Sequence, residues 1–224
     1  MYRSVGRPLA ESIENPCSTE CGGPSATAEH LGRTALELFA RKGYASTSVN
    51  EIVEAAGVTK PMLYYYFGSK ERLARRLVIE PAERLVETLE AVAKSDRSYL
   101  EQEIAWLQAQ LAFCRENPDR ARFVFALYFG PLGAELAESV GSIGQKSRSI
   151  LREIVSRREE TQGWSDTRIE DYVRAVQGQM LSTIIDMLYD ADSTALLTEP
   201  VEILARRLIL NLDAGYLADS RNRT

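Results

Sequence analysis

The chain is predicted to be all-α, a small N-terminal helix-turn-helix domain joined to a larger helical ligand-binding and dimerisation domain. Three observations predict this. Apolar residues recur at three- and four-residue spacing along most of the 224 residues, short Gly-, Ser- and Pro-containing breaks separate those stretches, and no stretch alternates apolar and polar residues as a half-buried strand would. With 45% hydrophobic and 26% charged residues there is ample material for a core.

Residues 1–25, rich in Gly, Pro, Ser and Thr, are expected to form a flexible arm. Within it Gly6-Arg7-Pro8, with Arg3 nearby, matches basic arms that insert arginine into a narrow minor groove, although Glu11, Glu14 and Glu20 dilute the charge. Helical periodicity begins near Thr27, where Leu31, Ala35, Leu38 and Phe39 share a face, and Lys42-Gly43 is a stop signal. Ser48-Val49-Asn50-Glu51 reads as a capping box opening a second short helix that ends at Gly57. Thr59 is placed to cap a third helix, Lys60 to Phe67, and Ser69 a fourth beginning at Lys70. Two helices joined by a Gly-centred turn form the helix-turn-helix signature, giving a DNA-binding domain over residues 26–76.

The regulatory body is expected over residues 77–218, with a tail at 219–224. Its helices are expected near 70–93 (with Pro81 as a kink), 98–116, 119–128, 132–160, 166–190 and 198–218. The boundary between the domains thus falls inside the fourth helix.

In such a motif the third helix enters the major groove. On a helix Leu63 and Phe67 face inward, leaving Lys60, Pro61, Tyr64 and Tyr65 on the other side and Tyr66 partly in the core. Tyrosine hydroxyls can bond phosphates while their rings pack on sugars or thymine methyls, and Lys60 can reach a guanine edge or a phosphate. Lys70 and the Thr47-Ser48 helix start are expected at phosphates. The net charge of −5 does not oppose this reading. Residues 26–76 carry eight basic and five acidic residues, and the acidic excess lies in the body.

Residues 28–77 closely resemble the N-terminal domain of tetracycline-repressor (TetR) family regulators. The resemblance rests on Leu36-Glu37-Leu38-Phe39-Ala40, Lys42-Gly43-Tyr44, Thr47-Ser48-Val49, Ala56-Gly57-Val58, Leu63-Tyr64-Tyr65-Tyr66-Phe67 and Ser69-Lys70-Glu71. It implies an Ω-shaped dimer in which a small molecule bound in the body lowers operator affinity. It also implies that Lys60, Pro61, Tyr64, Tyr65 and Tyr66 sit at DNA-contacting positions and Lys70 at a phosphate-contacting one. Pro61 departs from the small residue usual there, and Tyr66 from the frequent histidine.

The last two helices are apolar over so wide an arc that burial on two sides is expected, by the chain's own core and by a second copy. Val173, Met180, Ile184, Leu204, Leu208 and Leu212 are the candidate dimer-interface residues, and the resemblance implies a four-helix interface from these helices. A twofold dimer would read a palindromic operator in double-stranded DNA. For the ligand, Trp106, Phe113, Phe125, Tyr128 and Phe129, with Gln110, Gln177 and Thr183 as polar partners, are the candidate lining of a pocket for a small hydrophobic or aromatic effector.

The competing classes fare worse. His30 is the sole histidine, no phosphate-cradling Gly-rich loop or HExxH is present, and the body's carboxylates read as solvated, so catalysis is not expected. A helical interaction adaptor without DNA binding would leave Tyr64, Tyr65, Lys60 and Lys70 unexplained. Cys17, Cys21 and Cys114 suggest neither a disulfide framework nor a metal site, and no cofactor is expected. No run of about 18 apolar residues or secretory signal is seen, so a cytoplasmic protein is expected.

Overall fold

Ser48 fixes the start of the second helix through a complete capping box. Its hydroxyl accepts from the Glu51 amide at 3.2 Å while the Glu51 carboxylate accepts from the Ser48 amide at 2.8 Å. Glu51 also pairs with Lys42 at 2.8 Å, tying the second helix to the end of the first. These hydrogen bonds, Lys42's foremost, hold the Glu51 carboxyl down at about 2. The joints on either side of this helix need positive φ, 82° at Gly43 and 62° at Gly57, which side chains rarely adopt.

The computed structural model describes residues 24–129, 134–190, 196 and 198–221. Its helices are α1 (Pro24–Lys42), α2 (Val49–Ala55), α3 (Lys60–Phe67), α4 (Lys70–Ala74), α5 (Glu80–Ala93), α6 (Tyr99–Glu116), α7 (Pro118–Phe129), α8 (Ala134–Arg157), α9 (Asp166–Tyr189) and α10 (Val201–Arg221). No strand occurs among the described residues. Most boundaries lie within a few residues of those read from the sequence. The first helix begins at Pro24, inside the expected arm, and α10 runs past the expected end at 218. Arg3, Arg7, Cys17 and Cys21 lie outside the described residues.

The rod expected over 70–93 contains a π-helical turn, Arg75–Ile79, between α4 and α5. Pro81 supplies its physical reason. Proline has no N–H to give, and its ring crowds the carbonyl four residues back, so the widened turn just before it relieves both problems. The Glu80 amide bonds to the Arg75 carbonyl instead.

The core is in two connected parts. Leu31, Phe39, Ile52, Leu63, Phe67 and Leu73 close the N-terminal three-helix unit. That same cluster takes in Phe123 from α7 and Leu136 and Val140 from α8, so the small domain packs directly on the body. Phe123, fully buried, stacks on Phe39 with ring centroids 5.0 Å apart. The second part, with Trp106, Leu107, Leu111, Leu151, Val173 and Leu204, fills the body between α5, α6, α8, α9 and α10.

Candidate nucleic-acid interface and effector cavity

Thr59 has the extended backbone of an N-cap, and Pro61 stands in the first turn of α3, where its missing N–H costs nothing. Leu63 and Phe67 are buried, and residues 60, 61, 64 and 65 share the opposite face. That face is open: Tyr65 is 82% exposed, Tyr64 48%, and Lys60 and Pro61 are also exposed. Tyr66 is half-buried and packs edge-on against the Tyr65 ring at 5.1 Å, which braces Tyr65 from behind. A large exposed aromatic costs apolar hydration without return in a free monomer, so a tyrosine-bearing helix face suits a surface that is covered in use.

Two expected phosphate contacts have other partners. Thr47 is fully buried, and its hydroxyl donates to the Gly43 carbonyl at 2.8 Å, closing the turn between α1 and α2. Lys70 donates to the carbonyls of Tyr44 and Thr47, both at 2.9 Å, with its ammonium 4.2 Å from the centre of the Tyr44 ring. Two of its three N–H donors are thus spent inside the protein, and lost hydration lowers its pKa. Lys70 clamps the loop rather than presenting a free charge. Ser48 remains exposed at its helix start, with its hydroxyl engaged in the capping box.

The body is hollow at one end. A cavity of about 370 Å³ lies between α5, α6, α7, α8 and α9. Trp106, Gln110, Phe113, Phe125, Tyr128, Phe129 and Gln177 all line it. Thr183 does not; it is buried with its hydroxyl bonded to the Gln179 carbonyl at 2.9 Å. Trp106 is fixed by donating its indole N–H to the Ser147 carbonyl at 3.1 Å. Cys114 also lines the space, its thiol pushed up to about 12 by burial and hence protonated.

The residues expected at a dimer face lie largely inside the protomer. Val173, Ile184, Leu204 and Leu208 are buried in the protomer's own core, and Met180 and Ile184 line the cavity. Leu212 is half-buried against the same core. The arc that does face outward on these helices carries Ile185 and Tyr189 on α9 and Ile203 and Leu210 on α10, all exposed. Helical spacing showed that both helices are apolar widely, but not which side of the arc is the inner one.

At the far end of α9, four polar residues are buried together, and sequence reasoning missed them. Arg158 bonds Glu103 at 2.6 Å and Asp213 at 2.7 and 3.0 Å. The Tyr172 hydroxyl lies 2.8 Å from Glu103 and 2.7 Å from Asp213. A phenol has one proton, so two short contacts to two carboxylates need a second proton, and Glu103 is the group to hold it: burial raises its pKa to about 7. The signal was present in the sequence, since Glu103 precedes Trp106 and Leu107 by three and four residues, on their apolar face.

A family model described as bacterial regulatory proteins of the tetR family matches residues 32–77. The probable HTH-type transcriptional regulator YttP of Bacillus subtilis is 33% identical over 102 residues, which is 45% of this chain and 49% of that protein. The HTH-type transcriptional regulator AcrR of Shigella flexneri is 45% identical over 47 residues, 21% of this chain and 22% of its own length. The chain thus spans about half or less of these curated relatives. Among solved structures, a TetR-family regulator from Bordetella parapertussis superposes with a TM-score of 0.67 at 20% identity, covering 83% of this chain and 93% of that one. FadR of Bacillus subtilis, solved with stearoyl-CoA, gives 0.59 at 19% identity, covering 82% and 96%. Identities this low establish the shared fold alone.

Proposed function

From a chain that belongs to the tetR family of bacterial regulatory proteins through its N-terminal domain, we infer a sequence-specific DNA-binding transcriptional regulator, a repressor released from its operator by a small molecule held in the body. The observation that carries this is the open face of α3, with Lys60, Pro61, Tyr64 and Tyr65 turned away from a core sealed by Leu63 and Phe67. In a helix-turn-helix this face is the one that meets base edges and phosphates.

The dimer forms through the outward face of α9 and α10, supported by exposed Ile185, Tyr189, Ile203 and Leu210. Twofold pairing makes the operator a palindrome. Two physical links join cavity to DNA face. The α5 wall of the cavity (Ala82, Leu85, Val86, Leu89) continues through the π-turn into α4, and α7, which lines the cavity with Val124 and Phe125, stacks Phe123 on Phe39 of α1. A ligand that shifts either helix shifts the reading head with it.

The test is fluorescence anisotropy on duplex DNA from upstream of the gene, across a salt series. Binding that prefers this DNA and weakens steeply with salt is expected; its absence at low salt overturns the reading. Tyr65→Ala should cost about tenfold or more in affinity, ~1–3 kcal/mol for a DNA contact, with the melting temperature unchanged because the ring is exposed. Lys70→Ala should lower both affinity and melting temperature, since it unclamps the Tyr44–Thr47 loop.

A further inference from the structure

The cavity wall is apolar except along one side, and that side is asymmetric in what it can still bond. Among the described residues its polar members are Gln110, Ser147 and Gln177, with no carboxylate in the lining; Arg174, which also lines it, is largely exposed and ion-paired with Asp171 at 2.7 Å. The Gln110 amide donates to the Ser147 hydroxyl, a pair that can rearrange to give or to take a hydrogen bond.

Gln177 has no such freedom. Its Oε1 accepts from the Arg148 guanidinium, and Arg148 is held in turn by Glu170, which Arg152 also grips at 2.7 Å. Turning the amide over would set its NH₂ against the Arg148 N–H groups, donor against donor, so the orientation is fixed by charge. The Gln177 Nε2 is left with two hydrogens and no acceptor among the described residues, on a side chain that faces the cavity. An unpaired donor at an apolar wall is costly to dehydrate unless an incoming group supplies the acceptor.

We propose that the effector is an apolar molecule carrying a carbonyl or carboxylate oxygen, which accepts from Gln177 Nε2 while its hydrocarbon part packs among Trp106, Phe113 and Phe125, and that cationic ligands are excluded. This rests on the reading of the cavity as the effector site. Exclusion of cations follows from the lining. An ammonium would meet the Gln177 donor amide with no carboxylate among the described lining residues to pair with, and a charge taken out of water unpaired is disfavoured.

Trp106 and Trp164 are the two tryptophans of the chain, so a Trp164→Phe background isolates the cavity reporter. The full-length protein is titrated at neutral pH with three matched probes, 4-phenylbutanoate, its methyl ester and 4-phenylbutylamine, reading Trp106 fluorescence. Binding of the acid, the ester or both, at least tenfold tighter than the amine, is expected; acid over ester identifies a carboxylate ligand, and the reverse a neutral carbonyl. Gln177→Glu keeps the oxygen that Arg148 grips and replaces the two donor hydrogens by an acceptor. It should therefore weaken the oxygen-bearing probes at least tenfold while leaving the melting temperature unchanged or raised. Amine binding equal to or tighter than the acid and ester overturns the proposal while leaving the cavity as an effector site. Wild-type affinities retained in Gln177→Glu also overturn it. If no probe perturbs Trp106, both the proposal and the effector-site reading fall.

Discussion

The larger helical body holds two clusters built from the same kit, arginine with carboxylate and one further polar side chain, and they behave oppositely. At one end Arg158, Glu103, Asp213 and Tyr172 are buried, with the Arg158 side chain 1% and Glu103 0% exposed. Arg158 faces both carboxylates and the phenol, joining α6, α9 and α10 to the end of α8. Across the α8–α9 contact Arg148 and Glu170 are about one-third exposed, and Gln177 keeps two donors for a cavity. Both clusters keep a donor unspent: Arg158 Nε is buried with no hydrogen-bond partner among the described residues, 3.6 Å from Glu160, while the Gln177 amide lines the cavity. Residue type does not separate the two. Whether the spare donor faces a cavity does.

The largest effect should come from breaking the closed cluster. Arg158→Met strands Glu103 and Asp213 without their cation, and removing one partner of a buried pair costs ~3–5 kcal/mol. Urea denaturation should show that loss, or no folded protein at all. A loss below ~1 kcal/mol, the range of an exposed ion pair, would erase the distinction between the two clusters.

A smaller effect follows from the proton on Glu103. Its folded pKa of about 7 lies above the ordinary glutamate value of 4.5, so the native state binds more protons than the unfolded one between those values. Its stabilising contribution is therefore fully present below about 4.5 and is lost as pH rises through about 7. Relative to Glu103→Gln, which keeps the shape without titrating, the wild type should lose on the order of 1–3 kcal/mol between pH 5 and 8. Parallel stability-against-pH curves for the two proteins would show that Glu103 is ionised throughout. Tyr172→Phe, removing the hydroxyl both carboxylates use, should cost ~1–2 kcal/mol in the same assay.

The helix-turn-helix was legible in the sequence because its signals are local. A capping box spans four residues, a positive-φ turn needs one glycine, and alternate faces of an eight-residue helix follow from spacing alone. The cavity lining was legible to the extent that large aromatics cluster on α6 and α7. The ionic cluster was not, because Arg158 meets partners 55 residues away on either side, and pairwise geometry at that distance leaves no local trace. What remained visible was only that Glu103, Arg158 and Asp213 each stand three or four residues from buried apolar neighbours. The outer face of α9 and α10 failed for a related reason: periodicity measures how wide an apolar arc is, and only the packed neighbours decide which part of it, Val173 and Leu208 or Ile185 and Leu210, is left outside.

The smallest stability change should come from the open cluster, and there the comparison sharpens most. In Arg148→Met, Glu170 keeps its bond to Arg152 and the lost pair is partly solvated, so the fold should lose only ~0.2–1 kcal/mol. Yet the same change frees the Gln177 amide to turn over and present its oxygen to the cavity. Affinity for an oxygen-bearing probe should then fall several-fold through lost pre-organisation, and less than in Gln177→Glu, where the donors are gone altogether. The Trp106 titration reads this directly. Unchanged binding would mean that the amide holds its orientation without Arg148, and the open cluster would then be a surface ion pair that merely lies beside the cavity.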